Sequence, residues 1–128
     1  CLFLGAQDSI ANLLNCADLV LQPSATESFG LVILEAMSMG VPAVSTRCGG
    51  PEEVVLHGEC GYLSAIGDVE DMAANCIRLL TDGELYSGFS RRARQRVLDN
   101  YEIEIITRRY EEFYRKILRQ GIKRQSVD

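Results

Sequence analysis

Short apolar runs alternate with longer amphipathic stretches along the 128-residue chain. CLFLG (1–5) reads as a buried strand ending at Gly5. Asp8 then stands where it caps a helix that carries Ile10, Leu13, Leu14 and Ala17 on one face. ADLVLQPS predicts a second strand, Leu19 to Gln22, stopped by Pro23 and Ser24. A helix is expected from Phe29 or Gly30 to Met39, with Gly40 as its C-terminal cap. VPAVST is a third strand and GYLS a fourth, with Pro51, Glu52 and Glu53 between them suited to the first turn of a short helix.

Three longer helices follow. Asp68 and Asp71 resemble a capping box, and Val69, Met72, Ala73, Cys76, Ile77 and Leu80 recur at helical spacing behind them. A second helix, about Glu84 to Leu98, contains the RRARQR run, which reads as a solvated face. The last, about Glu102 to Arg119, carries a stripe of Ile103, Ile106, Tyr110, Phe113, Tyr114 and Ile117. Short buried strands alternating with helices imply an α/β fold, a Rossmann-like parallel sheet built from right-handed βαβ units. Such sheets bind ligands at the carboxyl ends of their strands. Three loops then qualify: Gly5–Asp8, Pro23–Gly30 and Arg47–Pro51.

Composition narrows this picture only a little. The 47% hydrophobic content suits a folded domain, and no apolar run approaches a membrane span of roughly 20 residues. The chain opens on Cys1 within an apolar run, which predicts a piece of a longer protein. The five cysteines lack C-x-x-C spacing and only one histidine, His57, is present, so free thiols in a reducing cytoplasm are expected and no metal site is. Net charge is −5, against nucleic acid as a partner. The charge is divided: residues 1–77 hold ten acids and a single base, Arg47, while residues 78–128 hold eight acids and twelve bases.

The candidate chemistry lies in ESFGLVILE, residues 27–35, where two glutamates flank a mostly apolar run. The helix beginning near Phe29 presents unpaired backbone N–H groups and the positive end of its dipole. Gly30 removes the side chain that would obstruct a close approach, so an anion such as a diphosphate fits there without a lysine or arginine. Glu35, within that helix, suits the vicinal diol of a ribose; Glu27, in the loop before it, suits sugar hydroxyls or charge developing on the sugar. Gly49 and Gly50 follow a strand, where glycine permits either an ordinary turn or a close ligand. Arg47 touches a phosphate or acidic acceptor, or pairs with Glu52 or Glu53; His57 reads as a surface residue. The tail RKILRQGIKR reads as solvated, with peripheral contact to an anionic membrane as the alternative.

These motifs carry a family resemblance. The string ADLVLQPSATESFGLVILEAMSMGVPAVSTRCGGPEEVVLHGECGYL contains PS-x-x-E-x-FG, the E-x7-E pair, EAM-x-x-G-x-P, GG-x-x-E and a later GD before a helix. It resembles the C-terminal half of the retaining GT-B glycosyltransferases of family four, up to about Tyr114. Within that family, FLGAQD, ESFGLV, the TR before GG and HG-x-x-GYL are similar to the bacillithiol-pathway enzymes that join N-acetylglucosamine to L-malate. The resemblance implies a nucleotide-sugar donor, UDP-N-acetylglucosamine or another UDP-sugar, with no resident cofactor or metal and with transfer that retains configuration. It implies Glu27 near the sugar as the catalytic position and Glu35 on the ribose. Ser28, Phe29, Gly30, Leu31 and Val32 would meet the diphosphate and sugar, and Ala6 and Gln7 the base.

It further implies a partial donor-binding domain over 1–100, a helix over 101–120 that crosses back to an N-terminal acceptor-binding domain, and a tail over 121–128. That domain and the family's upstream basic phosphate-binding residues lie outside this sequence, so the chain is expected to be inactive alone. Two other classes fit the architecture less well. A nucleotide-sugar epimerase would call for catalytic acids and histidines that have no place here, and a non-catalytic nucleotide-binding or interaction module rests on fold alone. No G-x-G-x-x-G follows a strand, which argues against a dinucleotide.

Overall fold

The computed structural model describes residues 1–120. Three parallel strands form the sheet: β1 (Val20–Gln22), β2 (Ala43–Thr46) and β3 (Gly61–Ser64), in the order β1-β2-β3. Val20 is paired with Ala43, and Ala43 with Gly61, which sets the register across all three. Six helices surround the sheet: α1 (Ile10–Asn15), α2 (Leu31–Ser38), α3 (Gly50–Val54), α4 (Val69–Thr81), α5 (Gly83–Asn100) and α6 (Ile103–Gln120).

Every residue of β2 and β3 is buried, as expected of parallel strands covered on both faces. Alternate residues of β2 feed two cores. Ala43 packs with Ile33, Met37, Val54, Leu63 and Val97, drawing in α2, α3 and the second half of α5. Val44 packs with Tyr62, Met72, Leu79 and Phe89, drawing in α4 and the first half of α5. The helix α5 thus reaches both cores. It follows α4 directly: Asp82 N donates to Arg78 O at 3.2 Å, while the Asp82 carboxylate accepts from Leu85 N at 2.9 Å.

The parallel α/β layout is the one expected from the sequence, but the first strand is absent. Residues 1–5 form no ladder and are exposed, Phe3 at 93%. Gly5 turns at φ +66, and Gln7 Nε2 donates back to Leu4 O at 2.7 Å. This local turn replaces an extended strand, so the loop Gly5–Asp8 does not follow a strand end. Nor does Asp8 cap α1. Ser9 holds the N-cap position, without a side-chain bond, and Leu14 is the one buried residue of that helix.

The expected cap of α4 is present, with Asp71 N donating to Asp68 Oδ1 at 3.0 Å. Its buried face is narrower than the apolar spacing suggests. Met72 and Leu79 are buried, whereas Val69, Ile77 and Leu80 are exposed. On α6, Ile106 and Ile117 are half-buried, but Ile103, Tyr110, Phe113 and Tyr114 face out. The tail over 121–128 lies outside the described residues.

Candidate functional site

The carboxyl end of the sheet is built from the loop after β1, the loop after β2 and the first turns of α2 and α3. Two hydroxyls of β2 tie down the first loop: Ser45 Oγ donates to Gln22 O at 3.1 Å and Thr46 Oγ1 to Ser24 O at 2.5 Å. The second loop locks against it. Glu27 bridges to Gly49 in parallel sense, and Gly50 N donates to Glu27 O at 3.1 Å. The contact is so close that a Cβ on Gly50 would lie 2.2 Å from Phe29 Cα. The glycine pair therefore permits one backbone to lie on another.

Glu27 is half-buried, and both of its carboxylate oxygens are held. Gln22 Nε2 donates to Oε2 at 2.9 Å, and Phe29 N reaches Oε1 at 3.4 Å. Gly30 caps α2 at φ +89, a left-handed conformation in which glycine carries no steric penalty. Ile33 N and Leu34 N both donate to Gly30 O, at 3.0 and 3.2 Å. Leu31 and Val32, ahead of them and exposed, lie in the first turn, whose N–H groups have no intrahelical acceptor. Such an amide end attracts an anion. The Phe29 ring is fixed edge-on to Tyr101, 6.0 Å between centroids, and the Tyr101 hydroxyl donates to Glu53 O at 2.9 Å.

Thus Glu27, Phe29, Gly30, Gly49 and Gly50 come together as one unit. Glu35 extends from the same helix with its carboxylate in solvent, while its main-chain oxygen accepts from Ser38 Oγ at 2.6 Å. Ser28 is exposed beside Glu27. Arg47 takes the ion-pair alternative, 3.9 Å from Glu52 with both side chains well exposed. Glu52 also turns back to accept from Gly49 N at 3.2 Å. Ala6 and Gln7 are exposed and share no hydrogen bond with this unit. Among the described residues, no three of His, Cys, Asp or Glu are grouped as metal ligands would be.

Three sets of contacts are not evident from the sequence. The RRARQR run is more than a solvated face: Arg92 Nε donates to Glu59 O at 2.5 Å and Arg94 to Ser38 O at 3.3 Å. Arg96 donates to Val54 O and Glu53 O, both at 2.6 Å. These side chains close the carboxyl ends of α2 and α3 and the 57–60 turn. His57 lies at the surface as expected, yet its Nδ1 accepts from Leu63 N at 3.0 Å. The hydrogen bond from Gln22 to Glu27 is the third. A polar residue ending the apolar run LVL, just before Pro-Ser, is the one local signal of it.

Known proteins are similar to this chain in sequence and in fold. An N-acetyl-alpha-D-glucosaminyl L-malate synthase of Bacillus anthracis is 48% identical over 118 residues, 92% of this chain and 31% of the relative. A phosphatidyl-myo-inositol mannosyltransferase of Mycolicibacterium smegmatis is 32% identical over 126 residues, 96% of this chain and 32% of the relative. The crystal structure of Anabaena Alr3699/HepE in complex with UDP superposes with a TM-score of 0.85 at 29% identity, over 90% of this chain and 32% of that one. The chain therefore spans about a third of the length of the curated relatives it matches. The model of the family described as glycosyl transferases group 1 matches residues 1–96. With the parallel sheet and these relatives, that match places the chain in the group 1 glycosyl transferases, as one Rossmann-like half of the GT-B fold.

Proposed function

We propose that this chain is the donor-binding portion of a retaining glycosyltransferase that uses a UDP-sugar, with UDP-N-acetylglucosamine the first candidate. The observation that carries the proposal is the held Glu27 carboxylate beside the open amide end of α2. The diphosphate meets the backbone of Phe29, Gly30, Leu31 and Val32, with Ser28 beside it. Glu35 accepts two hydrogen bonds from the ribose diol, and the 5–7 segment with Ala6 and Gln7 lies against the base. Glu27 faces the sugar, where a fixed negative charge stabilises positive charge developing at the anomeric carbon. Arg47 and the Gly49–Gly50 turn border the site.

Transfer with retention then follows a front-face course, in which the leaving diphosphate takes the acceptor's proton and no protein nucleophile is needed. The acceptor binds on an N-terminal domain, and α6 crosses back to it. The exposed Tyr110, Phe113 and Tyr114 suit a helix that packs against further structure. No resident metal or cofactor has a role here, since the nucleotide sugar is a substrate. Among the described residues no helix is long and apolar enough to cross a membrane, and a cytoplasmic enzyme is the setting that fits a nucleotide-sugar donor.

Two relatives support the choice of donor: the B. anthracis protein is named for an N-acetylglucosaminyl product, and HepE has been crystallised with UDP and with UDP-glucose. The test is calorimetric titration of the enzyme, with its upstream domain, against UDP, UDP-N-acetylglucosamine, GDP-mannose and ADP-glucose. Binding of a UDP ligand that Glu35→Gln weakens by about 1–3 kcal/mol supports the ribose role. If none of the four binds, or Glu35→Gln changes nothing, the paired glutamates are not a donor site.

A further inference from the structure

Resting on the donor-site reading of Glu27, we propose that Gln22 is a positioning residue, fixing the Glu27 carboxylate in the orientation from which it meets the transferred sugar. Gln22 ends β1, with its main chain in register with Ser45 and its oxygen accepting from Ser45 Oγ at 3.1 Å. Its backbone is therefore fixed by the sheet. From this base Nε2 donates to Glu27 Oε2 at 2.9 Å. An ionised acceptor makes such a bond stronger than a neutral one. The second hold on Glu27, from Phe29 N at 3.4 Å, is long and lies within the same loop. Gln22 is thus the tie that joins the carboxylate to the rigid sheet.

The amide can face Glu27 in one way only, because the carboxylate has no proton to offer an oxygen. With Nε2 turned to Glu27, Oε1 is buried and has no hydrogen-bond partner among the described residues. It lies beside the α2 cap, where a Cβ on Gly30 would come within 3.8 Å of it. A buried acceptor without a partner is destabilising, and an aliphatic side chain at this strand end would avoid it. The space beside Gly30 onto which Oε1 opens is otherwise bordered by apolar atoms, Ile33 Cδ1 and Pro51 Cγ, each within 4 Å of a Cβ placed on that glycine. A polar group kept at a cost to stability, with its other end on a site carboxylate, is what a positioning role requires.

The test compares Gln22→Met, Gln22→Glu and Glu27→Gln in the full-length enzyme, by thermal melting, UDP titration and steady-state kinetics with UDP-N-acetylglucosamine. Gln22→Met is expected to melt at or above the parent temperature and to bind UDP within about twofold of it. Its kcat should fall roughly 10- to 100-fold with little change in donor KM, as for a misdirected catalytic group. Gln22→Glu should show the same loss near about pH 8 and recover relative to the parent toward about pH 5, where the introduced carboxyl regains a proton to donate. Gln22→Met should show no such recovery.

An unchanged kcat in Gln22→Met, while Glu27→Gln is impaired, overturns the positioning role and leaves the donor-site reading intact. Should Glu27→Gln be unimpaired, that reading fails and the positioning role with it. A loss in Gln22→Glu that does not vary with pH, accompanied by lower melting temperatures, would assign Gln22 to the fold alone.

Discussion

Gly50→Ala tests the construction of the site most directly. The added methyl would stand 2.2 Å from Phe29 Cα and 2.3 Å from Phe29 N. Carbon atoms rest about 3.5–4.0 Å apart, so the 27–30 loop must retreat by more than about 1 Å. It cannot do so freely, because Gly50 N is bonded to Glu27 O and Thr46 Oγ1 to Ser24 O. Overpacking against backbone belongs near the upper end of the usual range, about 3 kcal/mol. With an unfolding entropy of about 2.1 cal/mol/K per residue, that lowers Tm by roughly 11 °C for a domain of this size. Gly83→Ala is the control: no atom lies within 4 Å of the added methyl, and the change should remain within about 0.5 kcal/mol. Melting by circular dichroism and UDP titration provide the readouts. If Gly50→Ala melts with the Gly83→Ala control and keeps its UDP affinity, the loop does not lie on Gly50 and the site has been assembled wrongly.

Arg96→Met keeps the alkyl stem but loses the bonds to Val54 O and Glu53 O, and urea denaturation should show a loss of about 1.5–3 kcal/mol. A loss no larger than for an exposed arginine would count against α5 as the closure of α3. Asp82→Ala removes the cap on Leu85 N and should cost about 1 kcal/mol, with Asp82→Asn retaining most of it; equal stability of all three would deny the cap. Burial pushes the Cys60 thiol above its ordinary pKa, against a weaker opposing bond with Leu56. It stays protonated at mildly alkaline pH, so iodoacetamide should alkylate the exposed Cys1 and Cys16 first and Cys60 only on unfolding. Mass spectrometry showing Cys60 modified as fast as Cys16 would refute this.

The sequence was most legible where local pattern and tertiary demand coincide. The short runs VPAVST and GYLS stand beside proline or glycine, and both are buried parallel strands, with Ser45, Thr46 and Ser64 buried alongside the apolar residues. Gly30 and Gly40, at φ +89 and +77, bracket α2 as expected from their positions. The family resemblance carried by PS-x-x-E-x-FG and the glutamate pair also held, since the chain belongs to the group 1 glycosyl transferases. CLFLG is apolar enough for a strand yet forms no ladder among the described residues, because apolar composition alone does not specify pairing. On α4, apolar spacing does not show which residues of a broad stripe face the sheet: Leu79 is buried while Val69 and Ile77 remain outside. The arginines of α5 reach carbonyls 33 to 56 residues away, a relation no local pattern contains. Gln22 was hidden for the same reason: its meaning depends on a carboxylate five residues on, brought back by the turn.

Asp82 leaves α4 and α5 without any slack between them. Its amide closes one helix while its carboxylate opens the next, so the two helices share a junction one residue long. The chain is therefore unforgiving of grafts at that point. An inserted tag or reporter would break both caps at once and pull Leu79 and Phe89 out of the core they share. The turn at Gly67 is the contrasting place: it is exposed and has open space around it. A foreign segment can leave and re-enter the protein there while the two helices keep their common origin.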